Sequence, residues 1–211
     1  MADVINIARS ELILGGQRSG KSRRAELLAR EWLAQSPDHK AVMIATAQAW
    51  DDEMHQRIAR HQQDRAERVP GMQTVEEPIA LGEALARHGC PQTTLVIDCL
   101  TLWLTNLLMP YLDGQGRQNQ QDPESNPENG SNVLPAQKIQ AQVATLLIAI
   151  ENAPGPVILV GNEIGLGVIP MGRETRDFVD ALGRLNQEVA AACRRVTFMA
   201  AGLPLVLKDS S

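Results

Sequence analysis

Three shortages narrow the field before any motif is considered. Positive charge is in deficit: 20 Lys and Arg stand against 25 Asp and Glu, giving a formal net charge of −5 and a pI near 5.4. No basic field is left to hold nucleic acid, apart from a local patch at Arg18, Arg23 and Arg24, and small anionic ligands suit the chain better. Cysteine is scarce as well. Cys90, Cys99 and Cys193 are an odd, widely spaced set with no metal-ligand pattern, which excludes a disulfide framework and points to reduced thiols serving as small apolar core residues. Long apolar runs are missing, so no stable membrane insertion is expected, and Met1 to Ser10 carries Asp3 and lacks the apolar region of a signal peptide. A cytoplasmic protein is the expectation. No internal repeat is present.

What is present is enough chain, 211 residues, to bury a substantial core as a single domain over 1–211. Short apolar runs at Leu12–Leu14, Ala41–Thr46, Thr94–Asp98 and Val157–Val160 read as buried strands. Helical patterns over Arg23–Trp32, Asp51–Arg65, Ile79–Arg87, Thr101–Met109 and Arg173–Cys193 alternate with them. Such alternation predicts an α/β fold, a mainly parallel sheet covered on both faces. Val196–Ala200 and Leu203–Leu207, flanking Gly202, predict a closing pair with an antiparallel edge strand. Residues 113–135 are dominated by Asn, Gln, Pro, Gly, Ser and acids, so they cannot bury enough surface to offset ordering. They read as a mobile polar insertion, with a substrate lid as the alternative.

The stretch Gly15-Gly16-Gln17-Arg18-Ser19-Gly20-Lys21-Ser22 follows the first strand and opens the first helix. In the pattern G-x-x-x-x-G-K-[ST], glycines let backbone N–H groups converge on phosphates, the lysine reaches the β and γ oxygens, and the hydroxyl holds Mg2+. The positive end of the following helix adds to the attraction. Asp98, ending an apolar strand, stands where nucleotide-hydrolysing folds place an acid that holds Mg2+ with the loop hydroxyl, here Ser22. The competing reading is a strand-end carboxylate capping the next helix. On the helix beginning at Asp51, Met54, Ile58, His61 and Arg65 share a face. Spacing alone leaves His61 open between a hydrogen-bonded structural histidine and a catalyst. Arg57, Arg60 and Arg65 are open between phosphate neutralisers and a solvated ion-pair face with Glu53 and Asp64.

The loop, Ala45-Thr46-Ala47, Asp51-Asp52-Glu53-Met54 with Arg57-Ile58 and His61, Asp98 to Asn106, Asn162 to Pro170 and Arg184-Leu185-Asn186-Gln187 occur in one order. Together they resemble the bifunctional adenosylcobinamide kinase/adenosylcobinamide-phosphate guanylyltransferase family of cobalamin synthesis, from about Glu11 to Lys208. Two positions depart from it: Met72 stands where a tryptophan is common, and Gly161 where a hydroxyl residue is more usual. The resemblance implies a P-loop NTPase-like three-layer sandwich that takes GTP, or ATP in the kinase step, with Mg2+. It implies nucleotide contacts at Gly15, Gly16, Gln17, Arg18, Ser19, Gly20, Lys21 and Ser22, at Ala45, Thr46 and Ala47, and at Gln62, Gln63, Asp64, Arg65, Glu76 and Asp98. Lys21 is the implied catalytic cation, Ser22 and Asp98 the metal ligands, and His61 the nucleophile that becomes guanylylated. The implied substrates are adenosylcobinamide and its phosphate, and the implied assembly is a homo-oligomer, a trimer in the family. The rival readings are a P-loop kinase for a small metabolite with a structural His61, and a nucleotide-switch protein with little turnover.

Overall fold

The computed structural model describes residues 6–48, 52–112, 135–167 and 170–210, without the side chains of Glu53, Met54, Arg57, His61 and residues 109–112 and 135–136. In chain order the elements are β1 (Ser10–Gly15), α1 (Lys21–Gln35), β2 (Lys40–Ala45), α2 (Asp52–Arg68), β3 (Gln73–Glu76), α3 (Leu81–His88), β4 (Thr93–Asp98), α4 (Leu100–Leu112), α5 (Pro135–Asn152), β5 (Val157–Val160), α6 (Arg173–Ala192), β6 (Arg195–Ala200) and β7 (Leu203–Asp209). The strands form one sheet in the order β3-β2-β4-β5-β1-β6-β7. All neighbours run parallel except β7, which pairs antiparallel with β6 at the edge.

Alternation along the strands sorts the core into two layers. Leu12, Leu14, Val42, Ile44, Leu95, Ile97 and Leu159 face one side, where Leu81 and Leu85 of α3, Trp103 of α4, Leu146 and Ile150 of α5 and Leu182 and Leu185 of α6 cover them. Ile13, Met43, Val96, Ile158 and Val160 face the other, under Ala25, Leu28 and Ala29 of α1 and Val69 just past α2. The result is the expected helix–sheet–helix sandwich. Both layers exclude water almost completely, since Leu12, Ile13, Ile44, Ile97 and Trp103 are all 0% exposed.

Two elements were not expected. Gln73–Glu76 is polar and largely exposed, with no apolar run to announce it, and β3 exists because its backbone continues the ladder beside β2. α5 begins at Pro135, where a fixed φ and a missing N–H suit a helix start. Gly82 lets α3 lie hard against α5, since a Cβ there would stand 2.8 Å from the Thr145 backbone. The expected polar insertion lies outside the described residues, apart from Pro135 itself.

The carboxyl ends of the central strands are tied together by one buried hydroxyl. Thr46 Oγ1 donates to Cys99 C=O at 2.7 Å and accepts from Cys99 N–H at 2.8 Å. Thr46 N–H reaches Asp98 C=O at 3.2 Å, and Thr46 C=O accepts from Asn106 Nδ2 at 2.7 Å. β2, β4 and α4 therefore meet at a residue that is 0% exposed with its polar groups paired. Thr46→Val keeps the shape but strands the Cys99 N–H, while Cys99 C=O keeps the Trp103 N–H at 3.1 Å, and a buried unpaired group costs about 1–3 kcal/mol. The variant is expected to lose about 1–3 kcal/mol in urea denaturation; a loss under about 0.5 kcal/mol would show that the hydroxyl is not the tie.

Candidate active site

The loop between β1 and α1 is built on backbone conformations that side chains resist. Gly15 (φ 150°) and Gly20 (φ 102°) are glycines of necessity. A Cβ on Gly15 would meet the Met199 carbonyl oxygen and Ser19 Oγ, and one on Gly20 would stand 3.3 Å from Gly202 Cα. Arg18 also adopts positive φ, 57°. Lys21 opens α1, is buried, and donates from Nζ to Gly16 C=O at 2.6 Å across its own loop. No side chain caps α1 and its first turn carries no acid, so the positive end of a 15-residue helix faces the loop uncompensated. Gly16, Gln17 and Arg18 are exposed, Ser22 is half-buried, and Ser19 Oγ is buried without a partner.

Along the same sheet edge, register sets Glu76, Ala45 and Asp98 side by side on β3, β2 and β4. Burial pushes the Lys21 ammonium below its usual 10.5, with Cys99 and Asp98 pulling the other way, so the Asp98 charge is close enough to act on the loop cation. Burial also raises the Cys99 thiol to about 11 and that of Cys193 to about 12, which keeps both inert as expected of core thiols, whereas Cys90, expected in the core with them, is exposed. Ala45 and Ala47 are half-buried, whereas the Thr46 side chain is wholly committed to the Cys99 backbone.

α2 is fastened at its C-terminal end. Arg68 Nη1 meets Glu26 of α1 at 2.9 Å and its Nη2 meets Asp64 at 3.2 Å, while Arg65, 8% exposed, donates to Thr74 Oγ1 at 3.0 Å. Gln62, Gln63 and Glu76 are exposed. His61 belongs to α2, and its side chain lies outside the described residues, as do those of Glu53, Met54 and Arg57.

β5 brings a further segment onto the loop. Asn162 N–H donates to Thr101 Oγ1 at 3.0 Å, Glu163 N–H to Gly15 C=O at 3.1 Å, and Asn186 Nδ2 of α6 to Asn162 C=O at 3.0 Å. Glu163 Oε1 accepts from Gly165 N–H at 3.0 Å. Asn186 Oδ1 is buried without a partner, 3.3 Å from where a Cβ on Gly161 would stand. Gly161 and this orphaned acceptor lie next to each other, and a Cβ there would also stand 3.1 Å from Leu14 Cδ2. On the far flank, Gly202 N–H in the β6–β7 turn donates to Ser19 C=O at 3.0 Å. The sequence placed Thr101 and Asn106 in a motif and Gly202 in a turn, and assigned none of them a role at the loop. The Gly202 turn lies at the other end of the chain, and only the pairing of β1 with β6 carries it to the loop.

The family described as cobinamide kinase / cobinamide phosphate guanyltransferase matches residues 11–207. The bifunctional adenosylcobalamin biosynthesis protein CobP of Pseudomonas aeruginosa is 45% identical over 199 residues, covering 94% of this chain and 96% of its own length. The bifunctional adenosylcobalamin biosynthesis proteins CobU of Escherichia coli and of Salmonella typhimurium are each 34% identical over 197 residues, 93% of this chain and 98% of theirs. Among solved structures, the flagellar accessory protein FlaH of Methanocaldococcus jannaschii superposes with a TM-score of 0.49 at 10% identity, over 97% of this chain and 80% of that one. A match running from the second residue of β1 to within two residues of the end of β7 takes in the loop, the Asp98 edge and the Asn162 segment alike, and the chain belongs to the cobinamide kinase / cobinamide phosphate guanyltransferase family.

Proposed function

We propose that this enzyme performs two successive reactions at the sheet edge, phosphorylating the aminopropanol hydroxyl of adenosylcobinamide and then guanylylating the product. The observation that carries the reading is the uncapped start of α1 above Gly15–Lys21, with the Asp98 charge felt at Lys21, in a chain matching the family over 11–207. In the first reaction the acceptor oxygen attacks the γ-phosphorus of GTP or ATP, the bond to the bridging oxygen breaks, and nucleoside diphosphate leaves. Charge spreads over the phosphoryl oxygens, so catalysis is positioning and neutralisation, which the loop amides and Lys21 supply. Lys21 exchanges its bond to Gly16 C=O for the β and γ oxygens.

Ser22 and Asp98 fit Mg2+, being hard oxygen donors of the kind that ion takes together with substrate phosphates, and when bound it would neutralise phosphate charge. Among the described residues no cluster of three His, Cys, Asp or Glu forms a resident metal cage, and the proposed ion arrives with the nucleotide.

In the second reaction a neutral ring nitrogen of His61 attacks the α-phosphorus of GTP and pyrophosphate leaves. A phosphate oxygen of adenosylcobinamide phosphate then attacks the guanylyl group and the P–N bond breaks, giving adenosylcobinamide-GDP. The covalent step divides one hard displacement into two, and imidazole, with an ordinary pKa of about 6.5, is unprotonated at neutral pH. Gln62, Gln63, Asp64, Arg65 and Glu76 form the nucleoside side of the site. Thr46 acts as a positioning residue through its tie to Asp98 and Cys99.

The enzyme self-associates through its exposed edge. Leu203, Leu205, Val206 and Leu207 of β7 are 71%, 59%, 50% and 59% exposed, on a strand with one side unpaired, and such an apolar edge is a pairing surface unless covered. Leu205→Glu with Leu207→Glu is expected to reduce the mass in light scattering to that of one chain; an unchanged mass in the double variant would place the contact elsewhere.

Lys21→Ala leaves phosphate charge uncompensated and is expected to cut kcat/KM for cobinamide phosphorylation by well over tenfold, that is by more than about 1.4 kcal/mol of transition-state stabilisation. A smaller loss would take the phosphate loop out of the mechanism.

His61→Ala separates the two reactions. Wild-type protein is expected to carry acid-labile, alkali-stable label from α-labelled GTP, as a phosphoramidate does. The variant is expected to carry none while still making adenosylcobinamide phosphate. Label retained by the variant would assign another nucleophile, and a wild type that never labels would leave a simple kinase as the better account.

A further inference from the structure

The kinase step needs a place for its acceptor beside the phosphate loop, and none of the residues assigned so far provides one. Immediately past Glu163, whose N–H sits on Gly15 C=O, the chain and the stretch of α6 from Arg176 to Gln187 border a cavity of about 670 Å3. Ile164 is one of its walls, and with consecutive Cα atoms about 3.8 Å apart, the cavity begins one residue from the loop contact. Asn186 and Thr101 hold Asn162 from two sides, so this wall is positioned by α4 and α6. Arg176 Nη1 donates to Pro170 C=O at 3.0 Å and fastens the far rim.

The chemistry of the cavity is distinct from that of the loop. Asp180, Arg184 and Gln187 lie at i, i+4 and i+7 on α6 and all line it, with Ile164 and Val179 as apolar surface. Among the described residues these three polar side chains have no ion pair or side-chain hydrogen bond with the protein. A guanidinium only donates, a carboxylate only accepts and a carboxamide does both. A ligand edge with several carboxamides and an apolar rim satisfies all of them. The volume is within the range of small-molecule sites, about 300–1,000 Å3, which suits one edge of a macrocycle with the remainder in solvent.

We infer that this cavity is the acceptor subsite, with Arg184 and Gln187 binding the carboxamide-bearing edge of the corrinoid so that its aminopropanol hydroxyl points to the phosphate loop; the inference rests on the kinase reading above. Phosphorylation leaves those carboxamides unchanged, so the same contacts serve the second reaction.

Steady-state phosphorylation of cobinamide tests it, with Arg184→Ala, Arg184→Ala/Gln187→Ala and the cavity-filling Val179→Trp compared with wild type. The expected result is a cobinamide KM raised at least about tenfold in each, kcat changed by less than about threefold, and GTP affinity in equilibrium titration as in wild type, with Arg184→Lys recovering part of the loss. A cobinamide KM that is unchanged in both the double variant and Val179→Trp, with wild type active, overturns the subsite alone. GTP affinity that falls along with cobinamide affinity in all three variants also overturns it, since the residues would then be serving the nucleotide or the fold. A wild type that neither phosphorylates nor binds cobinamide overturns the kinase reading, and the subsite with it.

Discussion

The close approach of two backbones at Gly20 and Gly202 underlies the whole nucleotide edge. For loop amides to converge on phosphate, the chain between β1 and α1 must turn through conformations open mainly to glycine, and a side chain on Gly20 would press on the backbone of its neighbour. The β6–β7 turn is that neighbour: Gly202 has φ 81°, offers its Cα to Gly20, and bonds Ser19 C=O through its N–H. From there the constraint spreads, because Gly15 packs on the Met199 carbonyl and accepts from Glu163 N–H, so the loop is bounded by β6 on one side and the end of β5 on the other.

A buried charge holds the base of this assembly. Glu11 on β1 is 1% exposed and accepts from Arg24 of α1 at 2.8 Å and Thr197 Oγ1 of β6 at 2.8 Å, with Arg195 at 3.8 Å. Arg195 also pairs with Asp209 at 3.0 Å, which joins the last residue of β7 to the first strand's network. Removing a carboxylate from water is costly unless the geometry of its partners is good, so such a network is better evidence for fixed placement than for added stability. What it places is the strand feeding the loop, the helix leaving it and the hairpin buttressing it.

The two reactions call for different mechanical properties along one edge. In the mechanism proposed above, phosphoryl transfer depends on the pre-set amides and on Lys21, whose burial raises the cost of its charge until an anion arrives. In the same proposal guanylyl transfer depends on α2, which is pinned near its C-terminal end by Arg65 and Arg68. The segment after β5 links both to the α6 cavity, and its hydrogen bonds to Thr101, Gly15 and Asn186 make it a shared wall rather than a separate loop.

Layer order was legible because apolar runs and helical periodicity alternate along the chain, and buried parallel strands and amphipathic helices leave those signals locally. The phosphate loop was legible for a related reason: its glycines and Lys21 answer to local backbone geometry. β3 was not, since a polar edge strand such as Gln73–Glu76 is defined by the partner it pairs with and not by its own side chains. α5 did carry its spacing, at Ile139, Val143, Leu146 and Ile150, yet only its packing on Gly82 of α3 shows why that helix is part of the core. The sequence by itself determined where charge falls along the chain and which backbone at Gly15 and Gly20 is free to turn, and it supplied the proposed nucleophile. Tertiary structure alone decided that Thr46 ties strands, that Gly202 walls the loop, and that Asp180, Arg184 and Gln187 face a cavity beside it, because those roles arise from contacts between segments far apart in the chain.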